Sequence, residues 1–331
     1  MSRRFDRMLH VGSVVVDVVL DVPAIPARGD DVLARATEVT PGGGFNVMAA
    51  AVAQGLPVAY AGTYGSGPFA ALALAALADR GVAVLQPPKP GDTGFVVTIV
   101  DAGGERTFLT SRGAESALTA GDLGRVRAGP RDAVYVSGYG LLDPGAAAIA
   151  QWLGRANERA WVFFDPGPLA GDIPGDVLEP VMRRADWVTC NAREAARLTG
   201  QADPAAAARV LARARAEGGP EDGAAGGSRP PARRGGIVVR TGAAGCLLVV
   251  AGDGDRAPVR VPGFPVTVVD TTGAGDTHTG TFIAALARGA DPVAAARTAN
   301  AAAALSVTRH GPATAPSEAE LTRWLSAPRR S

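Results

Sequence analysis

The chain has 331 residues, with 33 Lys+Arg against 32 Asp+Glu and 47% apolar residues. That suits one large α/β domain or two medium ones with a sizeable core, and it excludes a scaffold that grips nucleic acid or an anionic membrane by excess charge. Lys89 is the only lysine, which excludes a P-loop, a Schiff-base enzyme and a protein-kinase site, so phosphate must be met by backbone N–H groups, helix ends and arginine.

The N-terminal residues lack the apolar core of a signal peptide. Residues 39–78 are uncharged but broken by Pro41, Pro57, Pro68 and many glycines, so no membrane span is expected and the protein is read as cytoplasmic. Residues 8–19 are β-branched and read as one buried parallel strand. Residues 20–40 fit exposed strands, and Pro41-Gly42-Gly43-Gly44 a tight turn. A helix is expected at 46–54, a strand at 58–61 and a helix at 69–80. A hairpin is expected from 95–100 and 106–110 around Gly103-Gly104. Farther on, strands at 133–137, 161–164, 187–190, 237–240, 246–250 and 266–269 alternate with helices at 144–156, 192–198, 204–216, 275–287 and 292–306. Such alternation predicts an α/β fold with a mostly parallel central sheet flanked by helices. The two β-rich excursions, 13–40 and 93–115, are expected to pair as a small β-sheet lid. Residues 1–12, 41–92 and 116–331 then form the main domain. Residues 217–236 are rich in Gly, Pro and Arg and read as a flexible insertion.

Cys190 and Cys246 are too few for a disulfide framework, and His10, His278 and His310 lack metal-ligand spacing. His278 reads as a helix-packing residue.

The strongest signal is Val268-Val269-Asp270-Thr271-Thr272-Gly273-Ala274-Gly275-Asp276-Thr277. Small residues open a helix there, so free N–H groups and the helix dipole can form an anion hole. A carboxylate beside an anion hole makes sense when it accepts the proton of an attacking hydroxyl. The competing reading is an aspartate that caps the helix.

This segment resembles the signature of the ribokinase-like (PfkB) sugar kinase family. Gly12-Ser13-Val14-Val15-Val16-Asp17 and Pro41-Gly42-Gly43-Gly44-Phe45-Asn46 resemble its substrate aspartate and glycine-rich substrate segment. Gly62-Thr63-Tyr64-Gly65-Ser66-Gly67-Pro68-Phe69 is similar to its GxxGxDxF element, with Gly67 where aspartate is usual. Asn191-Ala192-Arg193-Glu194 is similar to its NxxE motif, and residues 299–311 to its C-terminal nucleotide region.

The resemblance implies a ribokinase-like fold and ATP-dependent phosphorylation of a hydroxymethyl group on a sugar. Asp276 would be the base and Gly273, Ala274 and Gly275 the anion hole. Asp17, Gly42, Gly43 and Asn46 would hold substrate hydroxyls. Asn191 and Glu194 would organise Mg²⁺ through water, the alternative being a capping box. Arg240, Thr241, Gly242 and Gly245 would meet the nucleotide phosphates, and Asn300 would lie near adenine. Asp270 and Thr272 resemble a monovalent-cation loop, which adds K⁺ to ATP and Mg²⁺ as a cation to test.

Ribose-specific members tend to carry Asn at the Val15 position and Lys at the Gly43 position, so ribose itself is disfavoured. Arg112 could reach an anionic group of the substrate or be a solvated lid arginine. Tyr139 could stack on a sugar or base, and Asp165 ends a strand on the site side. A nucleoside kinase and a catalytically inactive sugar- or nucleotide-binding module stay open as alternatives. No nucleic-acid or membrane partner is expected, and exposed lid edges suggest a homodimer.

Overall fold

The valine-rich run at 8–19 is not one strand. Gly12-Ser13 divides it into β1 (Arg7–Val11) and β2 (Val14–Asp21), which enter different sheets. An apolar run of this kind suits either sheet, so periodicity alone cannot find the break. The structure, a computed structural model, describes residues 3–217, 235–252 and 256–327. All but the ends of the expected 217–236 insertion lie outside the described residues.

After β2 the chain returns as β3 (Ala36–Gly43) and passes directly into α1 (Gly44–Ala53). The expected tight turn at Pro41–Gly44 is therefore the end of an antiparallel strand, with Gly43 opposite Val14 and Thr40 opposite Asp17. Next come β4 (Val58–Tyr60), α2 (Pro68–Asp79), β5 (Ala83–Val84), β6 (Phe95–Val100) and β7 (Arg106–Ser111). α3 (Ala120–Leu123), β8 (Asp132–Ser137), α4 (Ala146–Arg155), β9 (Trp161–Asp165), α5 (Gly175–Arg184) and β10 (Trp187–Asn191) follow. The chain continues through α6 (Ala192–Thr199), α7 (Pro204–Glu217), β11 (Gly236–Arg240), β12 (Gly245–Val250) and β13 (Val259–Pro262). It closes with α8 (Ala274–Ala287), α9 (Pro292–Ser306) and α10 (Glu318–Ser326).

Nine strands form the main sheet in the order β13-β12-β11-β10-β9-β8-β1-β4-β5. β12 pairs antiparallel with both β11 and β13, and the remaining pairs are parallel. Strand side chains alternate between two cores, as expected for a sheet covered on both faces. Met8, Tyr135 and Phe163 pack with α1, α8 and α9, while Leu9, Val134, Val136 and Phe164 pack with the layer of α4, α5 and α7. Trp187 meets Phe282 of α8 edge-on at 5.0 Å, a geometry worth about 0.5–1.5 kcal/mol beyond buried area. Cys190 and Cys246 are buried free thiols. Among the described residues no helix is long and apolar enough to cross a membrane.

The second sheet, in the order β3-β2-β6-β7, is built from the two excursions. β7 is one of its two edge strands and is exposed throughout.

Two further local expectations change. Residues 266–269 form no strand, because Val268 and Val269 lie on the surface and the Val269 N–H donates to Val307 O, not to a strand neighbour. The edge strand is β13, a few residues earlier. At Gly67, where the resembled element usually has aspartate, the space is filled by the Asp92 carboxylate. Asp92 caps α2 by accepting from Phe69 N at 3.0 Å and Ala70 N at 2.9 Å. The capping charge of α2 thus comes from another part of the chain.

Candidate active site

The loop after β13 reaches Gly273, which takes left-handed backbone angles (φ 72°, ψ 4°) as N-cap of α8. A methyl group there would overlap the Pro312 carbonyl, so glycine is required at this point. No side chain caps the helix. Ala274 N donates to Thr271 O at 3.3 Å, but no side chain takes the N–H groups of Gly275 and Asp276, which with the positive end of the dipole of a 14-residue helix suit an anion. Asp276 lies in that first turn and Gly275 faces Arg240, with 3.7 Å from its β-position to the guanidinium.

α1 runs against α8, and this packing brings the two halves of the site together. Asn46, in the first turn of α1, donates from Nδ2 to Asp276 Oδ2 at 3.3 Å. Asn46 Oδ1 is buried with no partner, a vacant acceptor beside the carboxylate and suited to a ligand hydroxyl. Asp17 projects from β2 over Gly42, and burial pushes its carboxyl up to about 6. Gly43 is the last residue of β3 and the N-cap of α1. Tyr139, after β8, has its phenol pushed up by burial first and then by the charges of Asp276, Glu194, Asp17 and Asp165.

On the phosphate side Arg240 ends β11. It donates to Asp165 Oδ2 at 2.9 Å and Thr279 Oγ1 at 2.8 Å, and it reaches Glu194 Oε2 at 3.5 Å. Asp165 also turns the chain, accepting from Gly167 N at 3.1 Å. Asn191 and Glu194 form a reciprocal capping box: Glu194 N donates to Asn191 Oδ1 at 2.9 Å and Asn191 N to Glu194 Oε2 at 2.7 Å. This fixes Glu194 in the cluster. Two carboxylates, Asp165 and Glu194, thus flank one guanidinium, and Asp276 lies within reach of their charges. Asp276 is pushed up to about 7, first by burial and then by Asp165; its hydrogen bond from Asn46 and the charge of Arg240 oppose the shift. Glu194 is also raised, by burial and then by Asp165. The excess negative charge suits a cation. Among the described residues no three acidic, histidine or cysteine side chains converge as metal ligands, so Mg²⁺ here would be held mainly through its waters and phosphate oxygens.

Thr241, Gly242 and Gly245 lie at the β11–β12 turn, where Thr241 N and Oγ1 both donate to Gly245 O. Asn300 is buried in α9 and donates to Val261 O at 3.0 Å and Pro262 O at 3.1 Å, tying α9 to β13. Arg112 pairs with Asp143 at 3.3 Å, linking the lid to the loop after β8. Asp270 and Thr272 meet a residue the sequence reading passed over, Arg106 of β7. Thr279 was passed over too: one turn beyond Asp276 on α8, it has no motif of its own and shows its role only through Arg240. His278 is buried and stacks on Phe282, with its imidazole pushed down to about 3 and hence neutral, consistent with helix packing.

The sequence profile of the pfkB family carbohydrate kinases matches residues 6–320. The chain is 31% identical to the uncharacterized sugar kinase YegV of Escherichia coli over 315 residues, covering 95% of this chain and 92% of the relative. It is 29% identical to the ATP-dependent ribose-1-phosphate kinase of Halopiger xanaduensis, covering 97% and 98%. Among solved structures, ribokinase from Thermotoga maritima aligns with a TM-score of 0.77 at 24% identity, over 98% of this chain and all of that one. The Arabidopsis thaliana ribokinase complexed with ribose and ATP gives 0.75 at 23%, over 99% and 100%. The chain belongs to the pfkB family and is an ATP-dependent carbohydrate kinase with the ribokinase fold.

Proposed function

We propose that Asp276 is the general base that deprotonates a hydroxymethyl group of a neutral sugar, with the N-terminus of α8 as the anion hole for the transferring phosphoryl group. The observation that carries this is the placement of Asp276 in a helix turn that no side chain caps, bonded to Asn46 and next to Gly275, which packs against the Arg240 guanidinium. ATP supplies the phosphoryl group, and Mg²⁺ near Glu194 would offset its charge. Asp17 and Asn46 hold and orient the sugar hydroxyls, and Arg240 with Gly242 and Gly245 meets the phosphates.

The substrate side favours a neutral polyol over a sugar phosphate. Asp17 and Asp276 are both acidic, and Arg112 is engaged by Asp143. A second anionic group on the substrate would meet carboxylates. This departs from the substrate named for the Halopiger relative. ADP release measured over a panel of free sugars, sugar 1-phosphates and nucleosides tests it. Turnover is expected on free sugars; preference for a sugar phosphate or a nucleoside would overturn the substrate reading, and ATP binding without turnover on any of them would favour a binding module.

The lid also suggests how two copies meet. β3 and β7 are its edges, and Phe108 and Leu109 on β7 are 62% and 56% exposed. We infer a homodimer through this sheet. Light scattering of wild type and Phe108→Glu tests it, with a monomeric wild type as the contrary result.

A further inference from the structure

The turn leading into α8 carries a charge that the reaction does not use. Asp270 Oδ1 accepts from Thr272 N at 2.9 Å, Thr272 Oγ1 at 2.7 Å and Arg106 Nη2 at 2.9 Å. Oδ2 accepts from Gly311 N at 3.1 Å. Arg106 Nη1 donates to Thr272 Oγ1 at 2.6 Å. These donors hold the Asp270 carboxyl far below the usual carboxylate range. A monovalent cation held by the side chains of this loop would need the Asp270 carboxylate and the Thr272 hydroxyl, and the guanidinium and backbone N–H groups already occupy both. The side chains present therefore do not fit K⁺.

Arg106 reaches this loop from across 164 residues of sequence. It begins β7, an edge strand of the lid, and just beyond the strand's other end Arg112 pairs with Asp143. The lid strand is thus pinned to the main domain on both sides, by one arginine–aspartate pair at the turn before α8 and another at the loop after β8.

We propose that Arg106 is a built-in counter-cation: a positioning residue that makes monovalent-ion activation unnecessary and couples lid closure to the ordering of Thr272-Gly273-Ala274-Gly275. With the lid down, Asp270 is neutralised and the turn presents its N–H groups to phosphate. With the lid up, the carboxylate loses its charged partner and the turn loosens. Chemistry is then competent only over an enclosed substrate, which also keeps water from competing for the phosphoryl group. The inference rests on the anion-hole role given to this turn above.

The test uses the full chain in KCl, NaCl and tetramethylammonium chloride of equal ionic strength, read by thermal melting and by steady-state kinetics. Wild type is expected to show the same Tm, and kcat within about twofold, in all three salts, because screening is equal among them. Arg106→Ala should lose about tenfold or more in kcat with a smaller change in sugar KM, the sign of an interaction needed in the transition state. Arg106→Lys should restore most of that loss. Potassium raising the Tm or kcat of wild type severalfold over tetramethylammonium would overturn the proposal, as would an Ala variant with wild-type kcat or a Lys variant as impaired as Ala. If the Ala variant does not fold, the wild-type salt series and the Lys variant decide. The melting comparison needs no substrate, so a wild type inactive on every sugar would sink the kinase mechanism without affecting it.

Discussion

Asn46 and Asp276, 230 residues apart in the chain, share a hydrogen bond of 3.3 Å between the first turns of two packed helices. In the proposed mechanism one residue belongs to the substrate segment and the other to the phosphate turn, so the bond would join the two halves of the reaction. Asp276→Asn keeps the shape and removes the proton acceptor. Its kcat should fall by about 10²- to 10⁴-fold, the usual worth of a general base, with ATP binding by calorimetry unchanged. Asn46→Ala should raise the sugar KM as well as lower kcat, since it removes both a substrate contact and the brace on the base.

The acid limb of kcat/KM should lie near pH 7, because Asp276 as the proposed base must be ionised to act and its carboxyl is pushed up to about 7. Asp165→Asn removes a repelling charge and frees Arg240 to favour the ionised form, so the limb should move to lower pH. The stability sign runs opposite to activity. A carboxyl raised above its unfolded value of about 4 favours the fold most when protonated, and that stability is lost as pH rises from about 4 to 7. Asp276→Asn should therefore melt higher than wild type at pH 8 and show a smaller gain at pH 5. A variant less stable at pH 8 would argue against the shifted carboxyl.

Arg240 is nearly buried, with a side chain 12% exposed between Asp165 and Glu194. Arg240→Leu leaves two carboxylates without their counter-charge, and breaking a buried pair in this way costs about 3–5 kcal/mol. The expected result is a large drop in Tm and a raised KM for ATP. Arg240→Lys keeps the charge but cannot reach Asp165, Thr279 and Glu194 together, so ATP KM should rise with a smaller loss of stability. Equal melting temperatures for Leu and wild type would show that the cluster is not coupled as described.

How far the site was legible follows from which contacts are local. The glycine turn, its aspartate and the capping-box pair Asn191 and Glu194 sit within short segments, and sequence shows them directly. Helix 292–306 was read to the residue because Asp291 and Pro292 start it unambiguously, Asp291 accepting from Val293 N and Ala294 N. Arg106 and Thr279 lie in runs without periodic meaning, and only the fold brings one to Asp270 and the other to Arg240. The strand expected at 266–269 failed for a related reason. Its valines have the right composition but no neighbouring strand, whereas β13 carries a charged residue and still pairs with β12. Pairing, not propensity, decides an edge strand.

Gly280 explains why α1 can bring Asn46 so near to Asp276. It is buried in α8 one turn past the base, and a β-carbon there would overlap Val47 O and lie 2.8 Å from Ala50 Cβ and 2.9 Å from Ala51 N. Most of these are backbone or short side-chain atoms that cannot rotate away, so Gly280→Ala must push α1 off α8. Overpacking of this kind costs about 1–3 kcal/mol, although Ala is the better helix former by about 1 kcal/mol. The displacement acts on the helix that carries Asn46, so the Asn46–Asp276 bond should lengthen and kcat should fall together with Tm. Asn46 is also a substrate contact in the proposed mechanism, so the sugar KM should rise, but less than kcat falls, because Asp17 comes from β2, outside both helices. Melting curves and full kinetics on Gly280→Ala check both parts, and a variant that is destabilised but keeps wild-type kcat would show that helix separation does not govern the catalytic carboxylate.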